Sequence, residues 1–315
     1  MKIAVLDAAT LGEDLDLSPL SVFGEVVSYK NTARDDIAPR LQGVDVAIVN
    51  KVKRNSDTLV GVDSLKLICV FATGYDNIEL PYCREKGIGV CNVVGYSTQS
   101  VAQLTVAMAL QLFNHMPEYT GYVSSGEYTK SGVANRLTPV YREIAGKTWG
   151  VVGLGNIGKQ VAKVAEALGC RVLAFKRTPE EGYNCVDLDT LLRESDIISV
   201  HLPLSEKTFN IISNKKIALM KEDAIFINVA RGAVVDEFAL ADAVRLGMIG
   251  GIGIDVYSAE PMTEVSPYYP IKEYPNVCLT PHMAWGAYEA RVRCLDDICK
   301  SIEAFNKGEK RSRVD

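Results

Sequence analysis

Residues 151–160 read VVGLGNIGKQ, which places Gly153, Gly155 and Gly158 in the spacing G-x-G-x-x-G. The spacing alone is a weak signal, because glycines also serve ordinary strand-to-helix turns. Its surroundings make it a good one. A strand-like run over 149–153 leads into the glycines, the helix-compatible GKQVAKVAEALG follows, Gly169 can end that helix, and RVLAF supplies a second strand-like run. This order commits the segment to a parallel strand pair joined by a crossover helix. In such a unit the first glycine permits the tight turn and the second lets backbone approach a pyrophosphate. The third lets the helix pack closely on the strand. The N–H groups at the helix start, those of Asn156 and Ile157 among them, then face the phosphates. The segment is expected to hold a dinucleotide.

The end of RVLAF bears on which one. A site for NAD usually carries Asp or Glu there, to bond the ribose hydroxyls. This chain has Lys176, Arg177 and Thr178 instead. Two cations and a hydroxyl suit a 2′-phosphate, so the expectation leans to NADP, with NAD as the alternative.

The same rhythm of short apolar runs and longer helical ones covers the chain, as expected of α/β architecture with parallel sheets. KIAVLD, VDVAIVN, LKLICVFA and GIGVCNV read as early strands, and the polar segments between them as places for helices. A long buried helix is expected from Ser97 to about His115, and an irregular arm over 117–147. TWGVVGLG, RVLAFK, DIISVHL, AIFINVA, GGIGIDV and NVCLTP form a second set of strands, and Tyr288–Asn306 an amphipathic last helix. A length of 315 residues corresponds to about two domains.

Composition narrows the function classes. The net charge is −5, with no basic stripe ahead of the tail KGEKRSRVD, which argues against nucleic acid as the main partner. That tail reads as a solvated terminus. No apolar run is long enough for a membrane span, and MKIAVLDA reads as a first strand, not as a signal peptide. The eight cysteines form no C-x-x-C pair and no metal-type cluster with histidine, so no metal is expected and a reducing cytoplasm fits.

Three histidines are present: His115, His201 and His282. His115 ends the long helix and reads as structural or solvated. His201 follows DIISV at the end of a strand, where open α/β sheets bind ligands, so it either borders the cofactor or only ends the strand. His282 follows NVCLTP at another strand end, near the return to the first set of strands, where a cleft is expected. Arg231 follows AIFINVA, and Glu260 follows GGIGIDV. Arginine, glutamate and histidine thus stand after three successive strands. An arginine fork binds a carboxylate bidentately. A carboxylate beside a histidine orients its ring and favours the charged form. Together with a nicotinamide, these groups suffice to reduce a 2-oxo acid.

The motifs ATGYDNIEL, GKTWGVVGLGNIG, HLPLSEKT, INVARGAVVDE, DVYSAEP and TPHMAW, running from 72 to 285, resemble the D-isomer-specific 2-hydroxyacid dehydrogenase family. The resemblance implies Arg231, Glu260 and His282 as catalytic residues, and Asp255 as the partner of the nicotinamide carboxamide. It implies that the backbone of Thr73, Gly74 and Tyr75 helps hold the substrate carboxylate, and that Thr105 faces the cofactor phosphates. His201, Pro203, Thr208, Val229, Ala230 and Ala284 would join the cofactor contacts. The implied fold is two Rossmann-like parallel-sheet domains. A flavodoxin-like substrate domain is made of 1–98 and 285–315, and a dinucleotide domain, 99–284, is inserted into it. The arm at 117–147 would serve a homodimer. GYSTQSVAQLT and Trp285 look most like the glycerate dehydrogenase (hydroxypyruvate reductase) branch, with Lys51 and Tyr75 as candidates for the far end of the pocket. D-lactate and phosphoglycerate types are the alternatives within the family. A dinucleotide-sensing corepressor is the alternative from another class.

Overall fold

A computed structural model describes residues 1–53 and 55–315. Two compact units emerge, one of Met1–Ser97 with Gly286–Asp315 and one of Thr98–Trp285. The first contains β1 (Lys2–Val5), β2 (Glu25–Ser28), β3 (Val46–Val49), β4 (Leu67–Val70) and β5 (Gly89–Cys91), with the short helices α1 (Ile37–Leu41) and α2 (Leu80–Glu85). Its strands are parallel in the order β2-β1-β3-β4-β5. All of β3 and β4 is buried, so these strands read as unbroken apolar runs. The strand β2 lies in one of the polar segments read as places for helices. It is an edge strand whose Val26 and Val27 are only half-buried, and so it lacks the apolar run that marks its neighbours.

The second unit opens with α3 (Thr98–Phe113), followed by α4 (Met116–Ser124) and α5 (Glu127–Ser131). The arm expected to be irregular thus begins as two short helices. Neither buries a residue, so no apolar stripe announces them. Residues 132–147 carry no helix or strand. The sheet then forms from β6 (Thr148–Val152), β7 (Arg171–Phe175), β8 (Ile197–Val200), β9 (Ile225–Asn228), β10 (Gly251–Ile254) and β11 (Val277–Leu279). All are parallel, in the order β7-β6-β8-β9-β10-β11. Between them run α6 (Asn156–Ala167), α7 (Leu188–Glu194), α8 (Asn214–Ile217) and α9 (Glu237–Arg245).

Separate cores cover the two faces of this sheet. One joins Val101, Met108 and Leu112 of α3 to Val161 and Ala165 of α6. The other joins Leu191 of α7, Ile217 of α8 and Leu240 of α9 to Phe226 and Ile254 of the sheet. Helix α3 crosses β10 closely, since a Cβ on Gly253 would lie 3.2 Å from the Met108 side chain. The chain returns to the first unit through α10 (Tyr288–Asn306).

The tail does not behave as a solvated terminus. It lies antiparallel on β5, with Val314 N donating to Val90 O at 2.9 Å and Val90 N to the Asp315 carboxylate at 2.7 Å. Arg313 and Asp315 form a two-point ion pair. A Cβ on Gly89 would lie 2.6 Å from the Arg313 guanidinium, so that glycine makes room for the tail. Among the described residues no helix is long and apolar enough to cross a membrane, and no group of side chains is placed to hold a metal ion.

Candidate active site

The glycine turn lies where the order of the second sheet reverses, between β6 and β8. Gly153 has φ +104°, and a Cβ there would sit 2.9 Å from the His201 carbonyl carbon. A side chain would therefore push the two strand ends apart. A Cβ on Gly158 would lie 2.1 Å from Gly153 O, which ties the first turn of α6 against the glycine loop. Gly155 differs: a Cβ there would meet nothing within 4 Å. The fold itself does not require glycine at 155, yet the missing side chain leaves an open approach to the start of α6. No side chain caps that helix. Open N–H groups, including those of Asn156 and Ile157, and an absent Cβ are what a pyrophosphate requires.

The ring of His201 turns into the fold, with Nε2 3.0 Å from Ser199 Oγ, which also accepts from Trp149 Nε1 at 3.0 Å. His201 Nδ1 is buried without a hydrogen-bond partner among the described residues. Burial pushes this imidazole down to about 3, so it is neutral near pH 7, and its backbone, not its ring, packs on Gly153. Thr105 is fully buried, and its hydroxyl donates to Val101 O at 2.8 Å within α3. This is ordinary helical back-bonding of a threonine hydroxyl. Thr208 donates to Pro203 O at 2.6 Å and accepts from Ser205 N at 2.8 Å, which closes the loop after β8. Lys176 is not an open cation. It pairs with Glu180, which also pairs with Lys159 of α6. Arg177 and Thr178 are exposed.

The ends of β9, β10 and β11 are knitted together. Asn228 is buried and grips the turn after β9: its side-chain amide donates to Arg231 O at 2.9 Å and accepts from Ala230 N at 3.0 Å. Val229 is buried beside it, and Arg231 Nη1 donates to Ala230 O at 2.8 Å. A Cβ on Gly232 would lie 2.2 Å from Ser258 N, so this glycine lets the turn after β9 touch the loop after β10. That loop carries Glu260, whose Oε1 accepts from Tyr257 N at 3.2 Å. The two carboxylate oxygens lie 2.8 and 2.6 Å from His282 Nδ1.

A carboxylate only accepts, so Nδ1 carries a proton and donates it to Glu260. His282 has φ +53°, a left-handed conformation uncommon outside glycine, and several bonds hold it there. Its N–H donates to Thr280 O at 3.0 Å, and its carbonyl accepts from Trp285 Nε1 at 3.0 Å.

Asp255 anchors the same loop. It is 1% exposed and accepts from Thr280 Oγ1 at 2.6 Å, Met283 N at 2.8 Å and Ala284 N at 3.0 Å. Burial pushes its carboxyl above the ordinary range, against the pull of those donors. The geometry makes Asp255 the brace of the His282 loop, a role its strand-end position alone did not reveal. Ala284 is held from both sides, since its carbonyl also accepts from Ser100 Oγ at 2.6 Å.

In the first unit, Thr73 Oγ1 donates to Val93 O and Asn92 Nδ2 donates to Thr73 O, both at 2.7 Å, which fixes the loop after β4. The N–H groups of Gly74 and Tyr75 form no hydrogen bond to any described residue. Lys51 is exposed, and its N–H donates to Asp7 Oδ2 at 2.6 Å. Asp7, Asn228 and Glu180 were not singled out from sequence. Asp7 and Asn228 stand at strand ends, the same signal that marks Arg231 and His282. The placement of Glu180 has no such signal.

Residues 106–284 match the family described as D-isomer specific 2-hydroxyacid dehydrogenase, NAD binding domain. The chain is 38% identical to a glycerate dehydrogenase of Methylorubrum extorquens, over 100% of this chain and 99% of that one. It is 34% identical to a hydroxypyruvate reductase of Blautia hydrogenotrophica, over 98% of both. An acyclic imino acid reductase solved with NADPH and D-Arg superposes with a TM-score of 0.86, at 28% identity over the whole of both chains. The chain belongs to the D-isomer-specific 2-hydroxyacid dehydrogenase family, NAD(P)-dependent oxidoreductases that interconvert 2-oxo and 2-hydroxy acids.

Proposed function

We propose that the chain reduces hydroxypyruvate or glyoxylate to the D-2-hydroxy acid, with NADPH preferred to NADH. The observation that carries this reading is the grip of both Glu260 oxygens on His282 Nδ1. The grip orients the ring, and the imidazole gives a proton to the substrate oxygen. A reduced nicotinamide, when bound at the glycine turn, supplies the hydride. Arg231 holds the substrate carboxylate and polarises the neighbouring carbonyl. The names of the two relatives support the substrate class.

The preference for NADPH rests on Arg177 and Thr178, exposed beside Lys176. Pairing of protomers rests on the arm, where Val123, Leu137, Val140 and Tyr141 are exposed, since apolar patches of this kind mark interfaces. All eight cysteines are free thiols, which accords with a cytoplasmic location.

The test is a spectrophotometric panel of hydroxypyruvate, glyoxylate, pyruvate and bulkier 2-oxo acids, run with both reduced nicotinamides. The highest kcat/KM is expected with hydroxypyruvate or glyoxylate and NADPH, and Arg177→Ala should weaken NADPH more than NADH. A bulky 2-oxo acid as the best substrate refutes the substrate assignment. A preference for NADH that Arg177→Ala leaves unaltered refutes the cofactor assignment.

A further inference from the structure

Glu180 lies in the loop between β7 and α7, and its carboxylate is shared by two ammonium groups. Lys159 reaches it from the first turns of α6, and Lys176 from the end of β7. These are the two elements that bound the ribose end of a dinucleotide site in this architecture. The side chains of Lys159, Glu180 and Lys176 are 38%, 29% and 35% exposed, so the cluster is open to solvent and to a ligand. Two ammonium groups converging on one anion are also what a phosphate monoester would find there. The pairing with Lys159, and secondarily with Lys176, holds the Glu180 carboxyl below its ordinary range.

We infer that Glu180 is an internal stand-in for the 2′-phosphate and that it sets the cofactor choice: NADPH has to displace its carboxylate from Lys159 and Lys176, whereas NADH does not. This rests on the reading that the glycine turn holds a nicotinamide dinucleotide. Glu180 is carried by a loop, so it can swing aside without breaking a helix or strand. With Glu180 in place the three side chains carry a net charge of +1; without its charge they carry +2. That difference acts on the doubly charged 2′-phosphate and hardly at all on a ribose hydroxyl.

The test is equilibrium binding without turnover. Purified protein is titrated with NADPH and with NADH, read by nicotinamide fluorescence in the absence of any 2-oxo acid. Calorimetry with adenosine 2′,5′-bisphosphate and with 5′-AMP, which differ only in the 2′-phosphate, provides a second readout. Glu180→Gln is expected to raise the ratio of NADPH to NADH affinity by roughly five- to tenfold. It should do so by tightening NADPH with NADH unchanged, and should raise the ratio of the adenosine probes in the same direction. Lys159→Met and Lys176→Met should lower both ratios. A Glu180→Gln ratio at or below the wild-type value, or a selective loss of NADH, overturns the inference and makes Glu180 a partner of the ribose hydroxyls. The wild-type ratio judges the NADPH preference separately. A wild type that favours NADH but shifts toward NADPH on Glu180→Gln sinks that preference and upholds the role of Glu180. A wild type that binds neither nucleotide sinks both.

Discussion

Both sheets reverse their order of strand addition, at β1 and β3 in the first unit and at β6 and β8 in the second. The two reversals end differently. In the first unit the strand-end residue is Asp7, whose carboxylate accepts from Asn50 N at 3.0 Å, Lys51 N at 2.6 Å and Val52 N at 3.0 Å. The chain fills its own anion seat. In the second unit the strand ends in glycine, no side chain caps α6, and a Cβ at Gly155 would meet empty space. A parallel sheet creates a place for negative charge wherever its order turns back. The residue at the end of the first strand decides whether that place is structural or available.

Four experiments break or sharpen this contrast. The largest effect is expected from His282→Ala, which should lower kcat by roughly 10²–10⁴-fold. NADPH binding, read by fluorescence, should stay intact, because the open turn lies on other strands; a near-normal kcat would refute the role of His282. Gly155→Asp should give the second unit what Asp7 gives the first. Dinucleotide affinity should fall by roughly a hundredfold or more through repulsion of the pyrophosphate, with the far-UV spectrum unchanged. Unaltered affinity would show that the open space at Gly155 is not where the phosphates sit.

Asp7→Ala should cost the first unit about 2–3 kcal/mol, because three backbone donors lose a charged acceptor. Urea unfolding followed by far-UV dichroism, with hydrogen exchange at β1 and β3, checks this, and nucleotide affinity should not change. Equal losses of stability and of nucleotide affinity would mean that the two reversals are not independent.

The smallest effect concerns pH. His201 stays neutral in the fold down to about 3, whereas an unfolded histidine takes up its proton near 6.5. The unfolded state therefore binds more protons between those values, and stability falls as pH falls through that window. Between pH 7 and pH 5 the loss attributable to His201 is about 2 kcal/mol. Both tryptophans, Trp149 and Trp285, lie in the second unit, so their fluorescence reports its unfolding. His201→Asn should flatten the slope of stability against pH over this range; an unchanged slope would place the acid sensitivity elsewhere.

The strands of both sheets were legible where they are buried on both faces, because β3, β4, β8 and β9 have no choice but to be apolar throughout. The half-buried β2 and the uncovered α4 and α5 were not, since nothing in the fold asks them for a pattern. The partnership of Glu260 and His282 was approachable from sequence because each stands just past a strand of one sheet. The grip of Glu180 on two lysines was not, because Lys159 and Lys176 are brought together only when α6 packs on β7. Asp255 entered only through the family resemblance, and its part as the brace of the His282 loop was not legible, because its three donors follow it by 25 to 29 residues.

The division of the first unit into two stretches has a consequence for how the chain is made. The first 97 residues contain all five strands of one sheet, but α10, with Cys294, Leu295, Ile298 and Ile302 buried on it, belongs to the last thirty residues. The tail that covers β5 is later still. During synthesis the whole second unit emerges in between and, being continuous, can finish folding first. At about 5–20 residues per second, the early sheet waits on the order of ten seconds or more, with an apolar face and a bare edge at β5. Bare edges invite pairing with other chains. A slowly translated stretch anywhere in 98–285 would prolong that exposure without altering a single native contact.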